Sequence, residues 1–297
     1  MEVAFYGGSF TSIPQEDQLR LLHPLQGLLA AGEVSSLRIS TRPDALDAAA
    51  AGFLRASGVA TVELGVQSMD DAVLEQSERG HCAADVEKAV ACLKGEGITV
   101  GLQLMPGLPG DSGEISVSSL MRVLDLQPDF LRLYPTVVVA GTPLSRRYAE
   151  GSYCPLTLEG AVHLCKILLH RALLARVPVV RIGLQPTTDL SRGGAILAGP
   201  YHPAFRQLVE AELCFDLLVR LIPSEQDGHE PVSVSCSPSR IADVVGQKRS
   251  NIRRLLRDRG VRVDRVRGDC SLTPFEIRVE SSRATRSGNI VEDLWYV

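Results

Sequence analysis

At 297 residues the chain is about twice a typical domain, so one large or two unequal domains are expected. Hydrophobic residues make up 45% of it, enough for a substantial core, and the net charge of −4 excludes a protein that coats nucleic acid along its whole surface, though not a local basic patch. No run approaches the roughly 18 apolar residues of a membrane span, and MEVAFYGGSF lacks the basic head and apolar stretch of a secretory signal, so the cytoplasm is the expected compartment.

Short apolar runs rich in β-branched residues recur along the chain. Val3–Tyr6, Leu37–Ser40, Thr61–Val66, Thr99–Met105, Phe130–Tyr134 and Pro178–Leu184 read as strands buried on both faces of a parallel sheet. Between them, Gln15–Ala31, Ala83–Gly95 and Leu158–Leu174 read as helices with apolar residues at helical spacing. Strand-to-strand spacing of mostly about 25–40 residues suits βα units, in a barrel or an open doubly wound sheet.

After Leu221 the texture changes. The segment 222–231 (IPSEQDGHEP) reads as a linker, and a smaller domain is expected from about residue 225: a strand at 232–236, a basic helical pair, and strands at 261–266 and 275–281. The expected division is 1–224 and 225–297. Seven cysteines, at 82, 92, 154, 165, 214, 236 and 270, form no CxxC pair, so they read as reduced and mostly buried thiols with no metal site among them.

In βα architectures chemistry collects on the loops that follow strands. The first strand ends in Gly7-Gly8-Ser9, where paired glycines let the backbone turn sharply and approach a ligand, or simply turn. The second delivers Arg42 and Asp44. The third holds Glu63 inside an apolar run, where a carboxylate must face a polar interior or pair with a cation, and ends in Gln67. Arg79 follows after one intervening helix and suits a carboxylate. The fourth carries Gln103 and then a proline- and glycine-rich loop, 106–111. The fifth gives Arg132 and Tyr134, and the sixth Arg181, Gln185 and Pro186. Six strands with polar or glycine-rich ends describe a ligand-binding mouth.

Taken in order, GGSF, STRPD, ELGVQS, SERGH, GLQLMPGLPGD, LRLYPT, GTPL and RIGLQPT resemble a radical S-adenosylmethionine (SAM) enzyme. The resemblance covers roughly 2–210, including AGPYHPAF, and is closest to the bacterial branch similar to the elongator catalytic subunit and to oxygen-independent coproporphyrinogen oxidases. It implies that Gly7, Gly8 and Ser9 receive the methionyl amino group of SAM. It also implies that Gln67 and Gln103 lie near the ribose and that Arg79 binds the carboxylate. The cofactors it implies are SAM and a 4Fe–4S cluster, which together give a 5′-deoxyadenosyl radical that abstracts hydrogen. The expected fold is a partial (β/α)6 TIM-like barrel missing its first βα unit, with a small α+β domain after it.

The family holds its cluster with a CxxxCxxC loop that precedes the GGSF strand. No such loop lies in these residues, so the polypeptide as written is expected not to assemble the cluster or cleave SAM. A piece of a longer protein begun at an internal Met is the expected explanation, ahead of a natural degenerate barrel. Loss of the first βα unit is expected to leave an exposed edge strand.

In the tail, residues 237–266 carry nine Lys or Arg against three Asp, an excess of six positive charges. Two helices flank a turn, Gly246-Gln247-Lys248-Arg249, in an order that resembles the RNA-binding KH core, whose GxxG loop clamps the nucleic-acid backbone. The second glycine is Arg249 here. Gly246, Gln247, Lys248, Arg249 and Arg253 are the candidate RNA contacts, and an ordinary amphipathic helical pair with a solvated basic face is the alternative. Elongator-type enzymes modify tRNA wobble uridines, so RNA, with tRNA the expected kind, is the implied partner. Three functions remain open: a radical SAM protein of RNA modification, inactive without cluster ligands; a non-catalytic RNA-binding protein on a degenerate barrel; and an ordinary barrel enzyme. The last wants a catalytic Lys, a His pair or a metal site at the strand ends, and none is found.

Overall fold

A computed structural model describes residues 1–185, 195–222 and 231–296. The chain divides into two compact units. In the first, β1 (Glu2–Phe5), β2 (Ser36–Thr41), β3 (Val59–Gln67), β4 (Thr99–Leu104), β5 (Phe130–Leu133) and β7 (Val179–Ile182) form one all-parallel sheet in that order. This six-stranded half-barrel is the expected partial TIM-like fold. The short β6 (Val138–Val139) pairs antiparallel with β8 (Ile196–Ala198) instead.

The crossover helices are α1 (Gln15–Ala30), α2 (Ala48–Ala56), α3 (Asp71–Gln76), α4 (Ala83–Gly95), α5 (Gly113–Asp125) and α6 (Pro143–Ala149). Polar side chains set where several begin. Asp47, Asp70, Ser112 and Thr142 each accept a backbone N–H of the first turn, and Pro143 occupies the first position of α6. Alternation along the strands then sorts the faces. Leu37, Ile39, Val62, Leu64, Val100, Leu102, Leu131 and Leu133 are buried almost completely. On the other face stand Arg38, Glu63, Gln103 and Arg132. A closed TIM barrel packs that inner face with branched apolar side chains; here it is polar.

Glu63, 5% exposed, accepts from Arg38 and Arg132 (both 2.8 Å) and from the Tyr6 hydroxyl (3.1 Å). The carboxylate in the apolar run both faces the interior and pairs with cations. Gly101 leaves room for the neighbouring Phe130 ring, which a Cβ at that position would overlap.

The second unit holds α7 (Leu158–Leu174), α8 (Phe205–Leu221) and the C-terminal elements: β9 (Val232–Cys236), α9 (Ile241–Val245), α10 (Ser250–Arg259), β10 (Val263–Gly268), β11 (Glu276–Glu280), β12 (Thr285–Asn289) and α11 (Ile290–Asp293). Its sheet runs β10-β9-β11-β12, with β9 parallel to β10 and antiparallel to β11. The linker read at 222–231 lies, from 223 to 230, outside the described residues, and so does the division read at 224/225. The two long helices α7 and α8 group with the C-terminal sheet, because they pack on each other, α8 packs on β11 and β12, and α7 packs on α11.

Inside this unit Arg240 bonds Asp243 (3.0 Å) and Glu210. Burial pushes the Asp243 carboxyl up to about 6, with the Glu210 charge adding to the rise and Arg240 and Arg206 opposing it. In the unfolded chain the same group titrates near 4. The folded protein therefore keeps this proton through a window where the unfolded chain has lost it, and the group's contribution to stability falls as pH rises from about 4 to about 6. Asp243→Asn removes that dependence. The test is the difference between wild-type and variant melting temperatures at the two ends of this window. An unchanged difference overturns the assignment.

Candidate functional site at the C-terminal strand ends

Parallel pairing brings the ends of all six strands to one edge of the sheet. After β1 the backbone at Gly7 and Gly8 takes φ of 111° and 156°, in the region glycine favours, and a Cβ at either would meet open space. These glycines are required by conformation, not by crowding. Ser9 anchors the turn to β2: its Oγ lies 2.9 Å from Thr41 Oγ1 and accepts the Arg42 N–H (3.0 Å). Beside it, Phe5, Tyr6, Gly7, Gly8 and Ser9 line a cavity of about 280 Å³.

Gln67 ends β3 with φ +67°, a left-handed backbone that is uncommon for a residue with a side chain, at a break in the β3–β4 register. Its Oε1 accepts from Gln103 Nε2 (3.1 Å), so two of the expected site residues are in direct contact. Gly65 leaves the space into which the Gln67 amide folds, since a Cβ there would stand 2.7 Å from its Nε2.

Arg79 follows α3. It is half-buried, its Nε is shielded from solvent without a partner, and its Nη2 meets only Met105 Sδ (3.2 Å). Among the described residues it makes no ion pair. Burial and the neighbouring Arg42 charge hold its proton affinity below the usual arginine range. Arg42 is itself satisfied by two bonds to Asp44, 2.7 and 2.9 Å. Arg79, Met105, Thr136, Thr142 and Arg147 line a second cavity, of about 330 Å³.

Contacts link these pieces around the rim. Ser9 holds Arg42, and Gly80 lies against the Arg42 guanidinium. Met105, which touches Arg79, donates its N–H to Gln67 O (2.9 Å). The loop after β4 is stiffened by Asp111, which accepts from Gly107 N (2.7 Å) and Ser116 Oγ (2.6 Å), while Tyr153 donates to Gly107 O (2.6 Å). Burial raises the Asp111 carboxyl and pushes Tyr153 up to about 12. Pro186, read as part of the sixth strand end, lies outside the described residues.

Sequence reasoning missed Arg38 and Arg147 as contributors to this face. Arg38 was legible in the alternation Ser36-Leu37-Arg38-Ile39-Ser40, which sets it opposite the buried Leu37 and Ile39. Arg147 carried no signal, because its place in the cavity depends on where α6 packs.

In the second unit, the residues Gly246–Arg249 form the turn between α9 and α10. Gly246 sits at φ 74°, where a Cβ would strike Ser250, and Arg249 adopts φ 62° at the start of α10. The arginine thus holds the left-handed backbone that a glycine would take there with less strain. Asn251, buried, donates from Nδ2 to Ala211 O (2.8 Å) and Asp243 O (3.2 Å) and fixes the turn to α8. Lys248, Arg249 and Arg253 are exposed and Gln247 is half-buried.

Glycine turns, paired amides and, among the described residues, an arginine without an ion pair gather at the C-terminal edge of a parallel half-barrel. The profile of the Radical SAM superfamily matches residues 2–115, and that of the Radical_SAM C-terminal domain matches 128–214. The chain belongs to the radical SAM superfamily.

It is 40% identical over 185 residues to a tRNA uridine(34) acetyltransferase of Dehalococcoides mccartyi, covering 59% of this chain and 38% of that protein. It is 29% identical over 256 residues to elongator complex protein 3 of Danio rerio, covering 77% and 46%. The solved structure of archaeal Methanocaldococcus infernus Elp3 with an N-terminal deletion superposes with a TM-score of 0.61 at 27% identity, covering 71% of this chain and 53% of that one. The chain thus spans less than half the length of these two curated relatives.

The superfamily implies SAM and a 4Fe–4S cluster. The orphaned Arg79 and the open Gly7-Gly8 turn fit SAM. For the cluster, no three His, Cys, Asp or Glu side chains converge among the described residues, and the cysteines stand as free thiols, so no residue of this chain is assigned as a ligand. Cys165, Cys214 and Cys236 are buried, and burial raises each thiol. Among the described residues no helix is long and apolar enough to cross a membrane.

Proposed function

We propose that the chain is the SAM-binding half-barrel, with an RNA-holding module, of a cytoplasmic radical SAM protein of tRNA modification. The Gly7-Gly8-Ser9 turn offers backbone groups to the amino end of SAM. The Gln67–Gln103 pair faces the ribose, and Arg79 takes the carboxylate. Arg79 is the observation that carries this reading. A guanidinium stripped of part of its water, beside a second cation and without an acid among the described residues, calls for an anion from outside. In this superfamily the cluster supplies the electron for SAM cleavage; this chain's residues bind and orient SAM. RNA is held by Gly246, Gln247, Lys248, Arg249 and Arg253, a reading supported by the local charge and by relatives whose names specify tRNA uridine(34), the Dehalococcoides mccartyi protein among them.

Two measurements test the proposal. SAM is expected to raise the melting temperature of the chain; no shift overturns the SAM site. Removal of two phosphate contacts by Lys248→Ala with Arg249→Ala is expected to weaken tRNA binding and to reduce the slope of log affinity against log salt by about 2. An unchanged slope overturns the RNA module. A chain that binds RNA and not SAM is a non-catalytic scaffold.

A further inference from the structure

Arg253 and Arg257 stand four residues apart on one face of α10, and Arg249 precedes them at the N-cap of the helix. Their neighbours leave them in different states. Arg257 is paired to Asp258 (2.6 Å), while Arg254 is paired to Glu212 and lies over the Phe215 ring at 3.7 Å. Lys248, Arg249 and Arg253 make no ion pair among the described residues. The stripe leads from the turn into a cleft of about 700 Å³ between α7, α8 and α10, within the second unit. Leu158, Val162, Leu208 and Ala211 give it an apolar floor. Its rim carries Arg253, Arg254 and Arg257 with His163, and Glu159 is the acid not already taken by an arginine.

We propose that this cleft receives an unpaired base of single-stranded RNA whose phosphates run along Lys248, Arg249 and Arg253. The inference rests on the RNA reading above and extends it to a pocket outside the turn. The volume lies within the roughly 300–1,000 Å³ of small-ligand sites. An apolar floor suits the faces of a base, and a rim of planar guanidinium groups suits stacking and phosphate contact. A base stacked inside a duplex cannot enter, so the cleft selects single strands or splayed loops.

The test uses the full chain and two short fluorescent RNAs: a U-rich strand, and the same backbone with abasic positions. Leu208→Trp fills the cleft and leaves the turn intact. The expected result is about tenfold weaker binding of the U-rich strand, the scale of one lost base stack, with the abasic strand unaffected. Should the variant fail to fold, a 4-thiouridine strand irradiated with the wild-type chain gives the second readout, with adducts expected on the peptide carrying Leu208 or His163. Equal binding of the U-rich strand by the variant, or adducts confined to 247–253, overturns the cleft and leaves the turn as an RNA contact. Displacement of RNA by polyglutamate at equal charge overturns it in favour of an acidic protein partner. If Lys248→Ala with Arg249→Ala changes nothing, the cleft and the RNA reading fall together.

Discussion

Glu63→Leu is expected to destabilise the half-barrel by about 3–5 kcal/mol, enough to leave much of the chain unfolded. The magnitude follows from what the carboxylate neutralises. One buried oxygen, Glu63 Oε1, accepts from Arg38, Arg132 and Tyr6, and Arg132 also donates to Tyr134 (3.0 Å). Removing it leaves two arginines, about four-fifths shielded, on β2 and β5 to either side of β3 and β4, with no shared acid. Arg38 keeps Glu2 (2.9 Å), so the larger part of the penalty falls on Arg132, whose Nε already lacks a partner. Burial and the Glu63 charge raise the Tyr6 hydroxyl, which therefore stays protonated and donates. Adding Arg132→Leu to the Glu63→Leu chain is expected to return most of the loss, because a well-packed apolar replacement of a buried ion pair is close to neutral. The measurement is the urea midpoint of wild type, single and double variants. A single variant within 1 kcal/mol of wild type would show that water screens the network.

The fate of Glu63 also shows which kinds of structure were legible in the sequence. The six parallel strands were readable within two residues at each end, because continuous β-branched runs have few other homes. The helices Ala83–Gly95 and Leu158–Leu174 were readable to their ends. Less visible were elements whose identity depends on partners. Ala48–Ala56 lacks a clear apolar stripe and forms a helix under the Asp47 cap. Phe205–Leu221 drew no helical reading from the sequence and takes its place by packing on α7. The strand Thr285–Asn289, TRSGN, has almost no β-propensity and is held by pairing with β11.

The site divides in the same way. Gly7, Gly8, Gln67, Arg79 and Gln103 were proposed from the sequence because they sit at strand ends or within motifs of the family. That Gln67, with its left-handed backbone, bonds Gln103, or that Arg79 has no acid among the described residues, is tertiary information. From the sequence, Arg79 read as suited to a carboxylate and Arg42 as a helix cap or a partner of Asp44. The structure separates them, because Asp44 satisfies Arg42 and nothing in the described residues satisfies Arg79.

That difference gives the second large effect. Arg79→Met is expected to move stability and ligand binding in opposite directions. Methionine keeps the length of the side chain and its contact with Met105, and it removes a cation whose Nε is buried without a partner. The ligand-free variant should therefore be more stable than wild type by about 1–2 kcal/mol, the cost of an unsatisfied buried polar group. SAM binding should weaken roughly 10- to 150-fold, the equivalent of the 1.5–3 kcal/mol of a hydrogen bond to a charged group. S-adenosylhomocysteine carries the same carboxylate without the sulfonium charge and should weaken by a similar factor. Adenosine, which lacks the amino acid, should bind both proteins alike. Calorimetric titration of the three ligands with thermal melts of both chains reads all four quantities. Equal losses for adenosine and SAM would mean that the substitution deforms the site, and a less stable ligand-free variant would mean that Arg79 is held by the fold and not kept for an anion.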